Sequence, residues 1–308
     1  MIFENDWLTT NICDIDADQT ISRVIGEYVP GDFEESSFMD AATKIANTIK
    51  NKYEHIYVAY SGGADSEFCF NILHEVGANP IPIHIRSYFT EESFADGIPN
   101  LKEKDIEPII IDCGIKSGEA FIDLYKDLIV SKYPWILAPY HIFQLLLSAK
   151  EMKKHHPNGI LISGGSVLNG TRHNQQPSGL PRFRINGNEQ GINLYEEGSS
   201  ILPLLLYNQH IVHETMRYVM PLTGPREDDP KKYRYTTEQI KADLYKVKYR
   251  VKKRHGVSMR PEHVNLFNKL VKKIPVNNKG YIEQFLFKQK GSDDTPKPLL
   301  DVWRSLKR

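Results

Sequence analysis

Cysteine is scarce in this chain: Cys13, Cys69 and Cys113 are all it has, odd in number and far apart. That pattern excludes a disulfide framework and any Cys-x-x-Cys metal pair, and it fits a reducing cytoplasm. No apolar run approaches the ~20 residues of a membrane span, so no membrane contact is expected. The acidic, polar first residues are unlike a secretory leader. Net charge is absent too, with 39 Lys and Arg against 39 Asp and Glu. The balance hides an asymmetry: residues 1–40 hold ten acids and one base, residues 226–308 hold 22 bases and ten acids. What is present, 40% hydrophobic and 25% charged over 308 residues, suits a soluble chain with one large α/β domain and additions.

The rest is organised around Ile56-Tyr57-Val58-Ala59-Tyr60, a β-rich run that stops at Ser61-Gly62-Gly63-Ala64-Asp65-Ser66. Beyond it Phe68, Cys69, Ile72, Leu73 and Val76 recur at helical spacing, and Gly77 is a natural stop. A strand feeding a glycine turn and a helix N-terminus makes an anion site. N–H groups point outward, the dipole favours negative charge, and Gly62 and Gly63 let oxygen atoms approach the backbone. Ser61 and Ser66 add hydroxyls. Asp65 is out of place beside a bare phosphate unless a cation lies between them, so the expected ligand is a metal-bound polyphosphate. The Walker pattern is absent here, and a nucleophile elbow would need glycine where Ala59 stands.

Ser-Gly-Gly-x-Asp-Ser after a hydrophobic strand resembles the PP-loop of the N-type ATP pyrophosphatases, the adenine-nucleotide alpha-hydrolase superfamily. The resemblance implies that ATP is cleaved between its α and β phosphates, releasing pyrophosphate and adenylating a substrate oxygen. It implies a cradle of Ser61, Gly62, Gly63, Ala64 and Ser66 for the leaving group, with Asp65 holding Mg²⁺. Asp65, Ser61 and Ser66 are then the catalytic candidates.

Pro80–Arg86 and Glu107–Cys113 read as further strands, separated by a polar, irregular segment at 87–105. Gly159–Ser163 reads as a fourth. With the helices between them, these predict an α/β fold, a doubly wound and mostly parallel five-stranded sheet of Rossmann-like PP-loop type. Ligands of such sheets lie beyond the carboxyl ends of the strands. By resemblance the end of the second strand holds adenine through backbone groups, which makes Ile85 and Arg86 candidates. Asp112 reads as a strand-end residue that caps the next turn or contacts ribose or metal. Ser163-Gly164-Gly165 resembles the later nucleotide-facing loop of asparagine synthetases, without that loop's usual acidic residues. Helices are expected over 36–51, led by Ser36 or Ser37 with Phe38, Ala42, Ile45, Ala46 and Ile49 on one face, and over 117–132 and 139–155. Ile201–Arg217 reads as another helix, its His210 and His213 in packing or capping roles, and Tyr218–Leu222 resembles the fifth strand of PP-loop enzymes.

The expected organisation is an acidic N-terminal arm at 1–35, a PP-loop domain at 36–225, and a basic helical region at 226–308. In the arm Asp14, Asp16 and Asp18 alternate, but the glycine and distal Glu of a calcium loop are missing, so a solvated arm is expected. Residues 169–200, polar and glycine-rich without a period, read as a substrate loop or lid with Arg172, His173, Arg182 and Arg184 as cationic contacts. A helix capped by Thr236 or Thr237 is expected to run to about His255. Residues 231–254 hold ten Lys and Arg against two acids, interleaved with tyrosines. That run reads either as a nucleic-acid grip or as a solvated helix face with one or two cations reaching ATP, Lys231 and Lys232 foremost.

Departures narrow the chemistry. Ile2 follows Met1 where a glutaminase would start with Cys, and no glutaminase domain fits before residue 56. Cysteines are too few for the zinc cluster of cyanodeazaguanine synthases. They are too isolated for the paired cysteines of thiolating tRNA enzymes, and none lies beyond residue 113 for a sulfonucleotide reductase. The leading expectation is an ATP-dependent ligase of the asparagine synthetase-like branch, without a glutaminase domain, that joins an amine or ammonia to an adenylated small-molecule or nucleobase acceptor. The rivals are a nucleic-acid-modifying enzyme of the same fold and a nucleotide-binding regulator without turnover. A homo-oligomer is compatible with all three.

Overall fold

The computed structural model describes residues 11–12, 24–27, 36–87, 98–113, 139–165, 174–175, 181–185, 200–219 and 237–247. The helix expected at 117–132, the basic linker at 226–234 and the C-terminal residues from 248 onward lie outside them. No helix among the described residues is long and apolar enough to cross a membrane.

Among the described residues nine strands form two sheets. Chain order begins with β1 (Asn11–Ile12) and β2 (Val24–Glu27), then helix α1 (Phe38–Lys52) and β3 (Ile56–Ala59). Helix α2 (Ala64–Glu75), β4 (Ile81–Ser87), β5 (Ile109–Cys113), α3 (Pro139–His155) and β6 (Ile160–Ser163) follow. The chain continues through β7 (Asn174–Gln175), β8 (Pro181–Ile185), β9 (Ile201–Pro203), a 3₁₀ turn at Leu204–Leu206, α4 (Gln209–Val219) and α5 (Thr237–Leu244).

The larger sheet has the order β5-β4-β3-β6-β9, and every neighbouring pair is parallel. It is an α/β sheet that starts at its middle strand, builds outward to β5, then returns to β6 on the other side of β3. Strands covered on both faces lose the alternation of a half-exposed sheet. Accordingly Ile56, Tyr57, Val58, Ile160, Leu161, Ile162, Ile201 and Leu202 are all buried.

Helix α1 is set by a capping box. The Ser37 hydroxyl accepts from Asp40 N–H at 3.1 Å, and Asp40 Oδ2 accepts from Ser37 N–H at 3.0 Å. The Ser37 hydroxyl, donating to Asp40 Oδ2 at 2.7 Å, and then the Ser37 N–H hold the Asp40 carboxyl below the usual carboxylate range. Phe38, Ala41, Ala42, Ile45, Ala46 and Ile49 then fall on one buried face. Helix α2 ends at Gly77, whose φ of +71° is left-handed. Gly77 N–H donates to His74 O and Ala78 N–H to Leu73 O, both at 2.9 Å, which closes the helix in a Schellman motif.

Three expectations are corrected. The fifth strand of the sheet is Ile201–Pro203, whereas Tyr218 and Val219 belong to α4. Periodicity cannot separate a short buried strand from a helix within an apolar run such as Ile201–Leu206. The segment at 87–105 is not irregular throughout: a helical turn at 98–102 buries Ile98 and Leu101. Finally, the acidic arm and the 169–200 segment are not merely solvated or aperiodic. Strands β1, β2, β8 and β7 form an antiparallel sheet in that order, with Val24–Glu27 opposite Ile185–Arg182. On α4, His210 lies 2.8 Å from the Ser36 hydroxyl and 3.8 Å from the buried Glu214.

The end of β3 is fastened to β4. Tyr60 N–H donates to Ile83 O and the His84 ring N–H donates to Tyr60 O, each at 2.8 Å. Burial pushes His84 below the ordinary imidazole value, partly opposed by its bond to Tyr60. A histidine whose folded pKa is depressed stabilises the fold above its unfolded pKa of about 6.5, and this is lost as pH falls towards the folded value. Denaturant midpoints measured from pH 7.5 to 5.5 should therefore fall more steeply for the wild type than for His84→Asn. The difference should be at most about 1.4 kcal/mol per pH unit. Parallel slopes would show that His84 does not carry the effect.

Candidate functional site

Reversal of winding direction leaves a crevice beyond the carboxyl ends of β3 and β6, the place where sheets of this kind bind ligands. Two glycine turns meet there. The first, Ser61–Gly63, leads into α2, and the second, Gly164-Gly165, follows β6. A methyl group on Gly164 would lie 2.9 Å from both Asp65 C and Ser66 N and 3.0 Å from Asp65 Cβ. Only glycine permits this approach, because backbone cannot move aside as a flexible side chain can. The Ser163-Gly164-Gly165 turn and the Ser61–Ser66 turn are thus brought together.

Within the first turn Gly62 has a φ of +75°, a conformation glycine adopts without steric penalty. Gly63 is the N-cap of α2 in extended conformation, with no side-chain cap on the helix. The serine side chains shape the bend. Ser66 Oγ accepts from Ser61 N–H at 3.2 Å and donates to Gly63 O at 3.0 Å, while Ser61 Oγ accepts from Gly63 N–H at 3.3 Å. The two hydroxyl oxygens are 3.2 Å apart. Ala64 is the first residue of α2. These features shape a stiffened bend at the N-terminus of α2, the end at which a helix dipole favours negative charge.

Asp65 is held from the other end of the chain. Lys241 Nζ donates to its Oδ2 at 2.5 Å, and the Tyr245 hydroxyl donates to its Oδ1 at 3.0 Å. Lys241 is only 3% exposed. A spacing of four puts Lys241 of α5 and Tyr245, the residue after it, on one side, with Tyr245 N–H donating to Lys241 O at 2.9 Å. Tyr245 is fixed in turn by aromatic packing, its ring 4.7 Å from that of Phe68 and 5.7 Å from that of Phe38. These contacts dock α5 against the first turn of α2 and the start of α1.

The other expected residues fall into place unevenly. Ile85 is buried near the end of β4, and Arg86 beside it reaches Asp112 of β5 at 4.0 Å, both side chains part-exposed. The backbone register pairs the same two residues. Arg182 and Arg184 lie on β8, opposite Glu27 and Ile25 of β2. Arg172, His173, Lys231 and Lys232 lie outside the described residues. Cys69 is a buried thiol whose Sγ donates weakly to Ser163 O at 3.8 Å; burial first, then the Asp65 charge, push its pKa well up. It is a packing group, not a nucleophile.

Lys241 and Tyr245 are the residues that sequence reasoning missed. Their tyrosine-laced basic run reads as a surface, and one local signal says otherwise: Lys241 stands within the apolar stripe Ile240, Leu244, Tyr245, all buried.

No protein-family model matches the chain, and no curated protein matches it. Solved structures do. NH3-dependent NAD synthetase from Campylobacter jejuni, in complex with nitrate, is 15% identical with a TM-score of 0.32, over 44% of this chain and 59% of that one. NMN synthetase from Francisella tularensis is 13% identical with a TM-score of 0.38, over 84% of this chain and all of that one. Glutamine-dependent NAD+ synthetase from Acinetobacter baumannii, in complex with ADP, is 12% identical with a TM-score of 0.32, over 91% of this chain and 46% of that one. This chain therefore spans 59% and 46% of the length of the two NAD synthetases. At such scores the site has to be read from its own residues.

The contact at Gly164 makes a sharp prediction. Gly164→Ala must displace the backbone of residues 65 and 66, and overpacking of this kind costs about 1–3 kcal/mol. Chemical denaturation should record that loss. A midpoint equal to that of the wild type would mean that the two turns do not touch.

Proposed function

We propose that this chain is an ATP pyrophosphatase-type ligase of the PP-loop superfamily. It cleaves ATP to AMP and pyrophosphate to adenylate a carboxylate or carbonyl oxygen, which an amine or ammonia then attacks. The observation that carries this reading is the meeting of two glycine turns at the switch point, with the Ser-Gly-Gly-Ala-Asp-Ser turn leading into the N-terminus of α2.

The chemistry follows from charge placement. In the first step the acceptor oxygen attacks the α-phosphorus, the bond from that phosphorus to the bridging oxygen breaks, and pyrophosphate leaves with the electron pair. In the second, the nitrogen lone pair attacks the activated carbon and AMP departs, the nitrogen losing its proton to solvent. No covalent nucleophile from the protein is needed. What the first step requires is a preorganised set of donors where charge collects on the leaving group. Backbone N–H groups at the start of α2, with the Ser61 and Ser66 hydroxyls, would supply it. Gly164 lets the second turn lie close enough to wall the α-phosphate side, and the ends of β4 and β5 would border the adenosine.

Magnesium, the usual companion of ATP, would reach Asp65 in competition with the Lys241 ammonium. Both oxygens of that carboxylate already accept, one from Lys241 and one from Tyr245.

Product analysis tests the proposal. ATP labelled at the γ-phosphate, incubated with pools of amino acids, amines and nucleobases, should yield labelled pyrophosphate in step with unlabelled AMP. Labelled orthophosphate with ADP would refute it, and binding without any release would leave the chain a nucleotide-binding protein only.

A further inference from the structure

The geometry points to Lys241 as a built-in cation that does the work expected of a metal at Asp65, so that the cradle accepts a polyphosphate without a divalent ion bound to that carboxylate. The inference rests on the ATP reading above and goes beyond it by naming the group that makes the site electrostatically usable.

A carboxylate in the first turn of α2 is favourable for the helix and unfavourable for the ligand. It satisfies the dipole at the end where a phosphate would bind, and at close range two like charges repel strongly in a partly buried site. Asp65 therefore needs a positive partner before an anion can enter. Lys241 supplies one at 2.5 Å. Its side chain is 4% exposed and that of Asp65 is 20% exposed, so the pair is shielded from salt and the compensation is local.

Burying a lysine for fold stability alone is a poor use of the residue, since an apolar side chain of similar volume often serves at least as well. The position is also held from outside the ion pair. Tyr245 holds the second carboxylate oxygen and is stacked on Phe68, the residue three positions beyond Asp65 in the same helix. The cation is thus fixed by α5, an element far along the chain, and the cradle is incomplete without it.

Calorimetric titration of the full-length chain with the non-hydrolysable β,γ-imido analogue of ATP, in EDTA and in excess magnesium, tests this. The wild type should bind in EDTA within about threefold of its affinity in magnesium. Lys241→Met should lose about tenfold or more in EDTA and recover most of it in magnesium, the metal standing in for the missing ammonium. The double variant D65N/K241M, which removes both charges and keeps an acceptor for Tyr245, should again bind without magnesium. A purely structural pair predicts otherwise: K241M would weaken binding equally in both buffers. That result, or wild-type binding only in magnesium, would overturn the inference and spare the ATP reading. No wild-type binding in either buffer would overturn both. Should K241M fail to fold, the wild-type comparison and the double variant decide the matter.

Discussion

A parallel sheet wound in two directions has one place where the loops of adjacent strands diverge, and in this chain that place is bordered by two backbone turns in close contact. Gly164 lies against the peptide between Asp65 and Ser66 so tightly that no side chain could stand between them. This steric constraint fixes the distance between the turn after β3 and the turn after β6, and the crevice takes its shape from it. The bend at Ser61–Ser66 is then stiffened by hydrogen bonds internal to itself. The bend's geometry is thus set by the chain itself, and preorganisation is the condition under which fixed dipoles are most effective.

Charge is arranged around that frame from distant parts of the sequence. Asp65 comes from the first turn of α2, Lys241 and Tyr245 from α5 and the residue after it, more than half the chain away, and the aromatic packing of Phe38, Phe68 and Tyr245 joins these elements to α1 at the same spot. An ion pair of this kind contributes little net stability once desolvation is counted. Its value lies in where it puts the charges.

Legibility in the sequence followed the range of the interactions. The turn at 61–66, the α2 stop at Gly77 and the Ser37 cap were readable because each depends on neighbours within a few residues. The central strands were readable from their β-branched and aromatic runs. The last strand was misassigned because Ile201–Leu206 is apolar without a period, and the Pro-Leu pair at 221–222 drew the assignment downstream. Lys241 was hidden for another reason. A lysine among lysines and tyrosines looks solvated, and only the long-range docking of α5 onto α2 makes it internal. The pairing of β2 with β8 was hidden too, since strand partners are not written in the residues of either strand alone.

That last pairing has a consequence for how the chain is made. Val24–Glu27 leaves the ribosome early, yet its partner Pro181–Ile185 is synthesised only after four of the five strands of the parallel sheet. Until then its edge has no mate, and unpaired edges invite association with other chains. The acids crowded into the first forty residues carry one sign of charge almost throughout. Charged side chains beside a strand are one of the devices that make its edge a poor template for another copy.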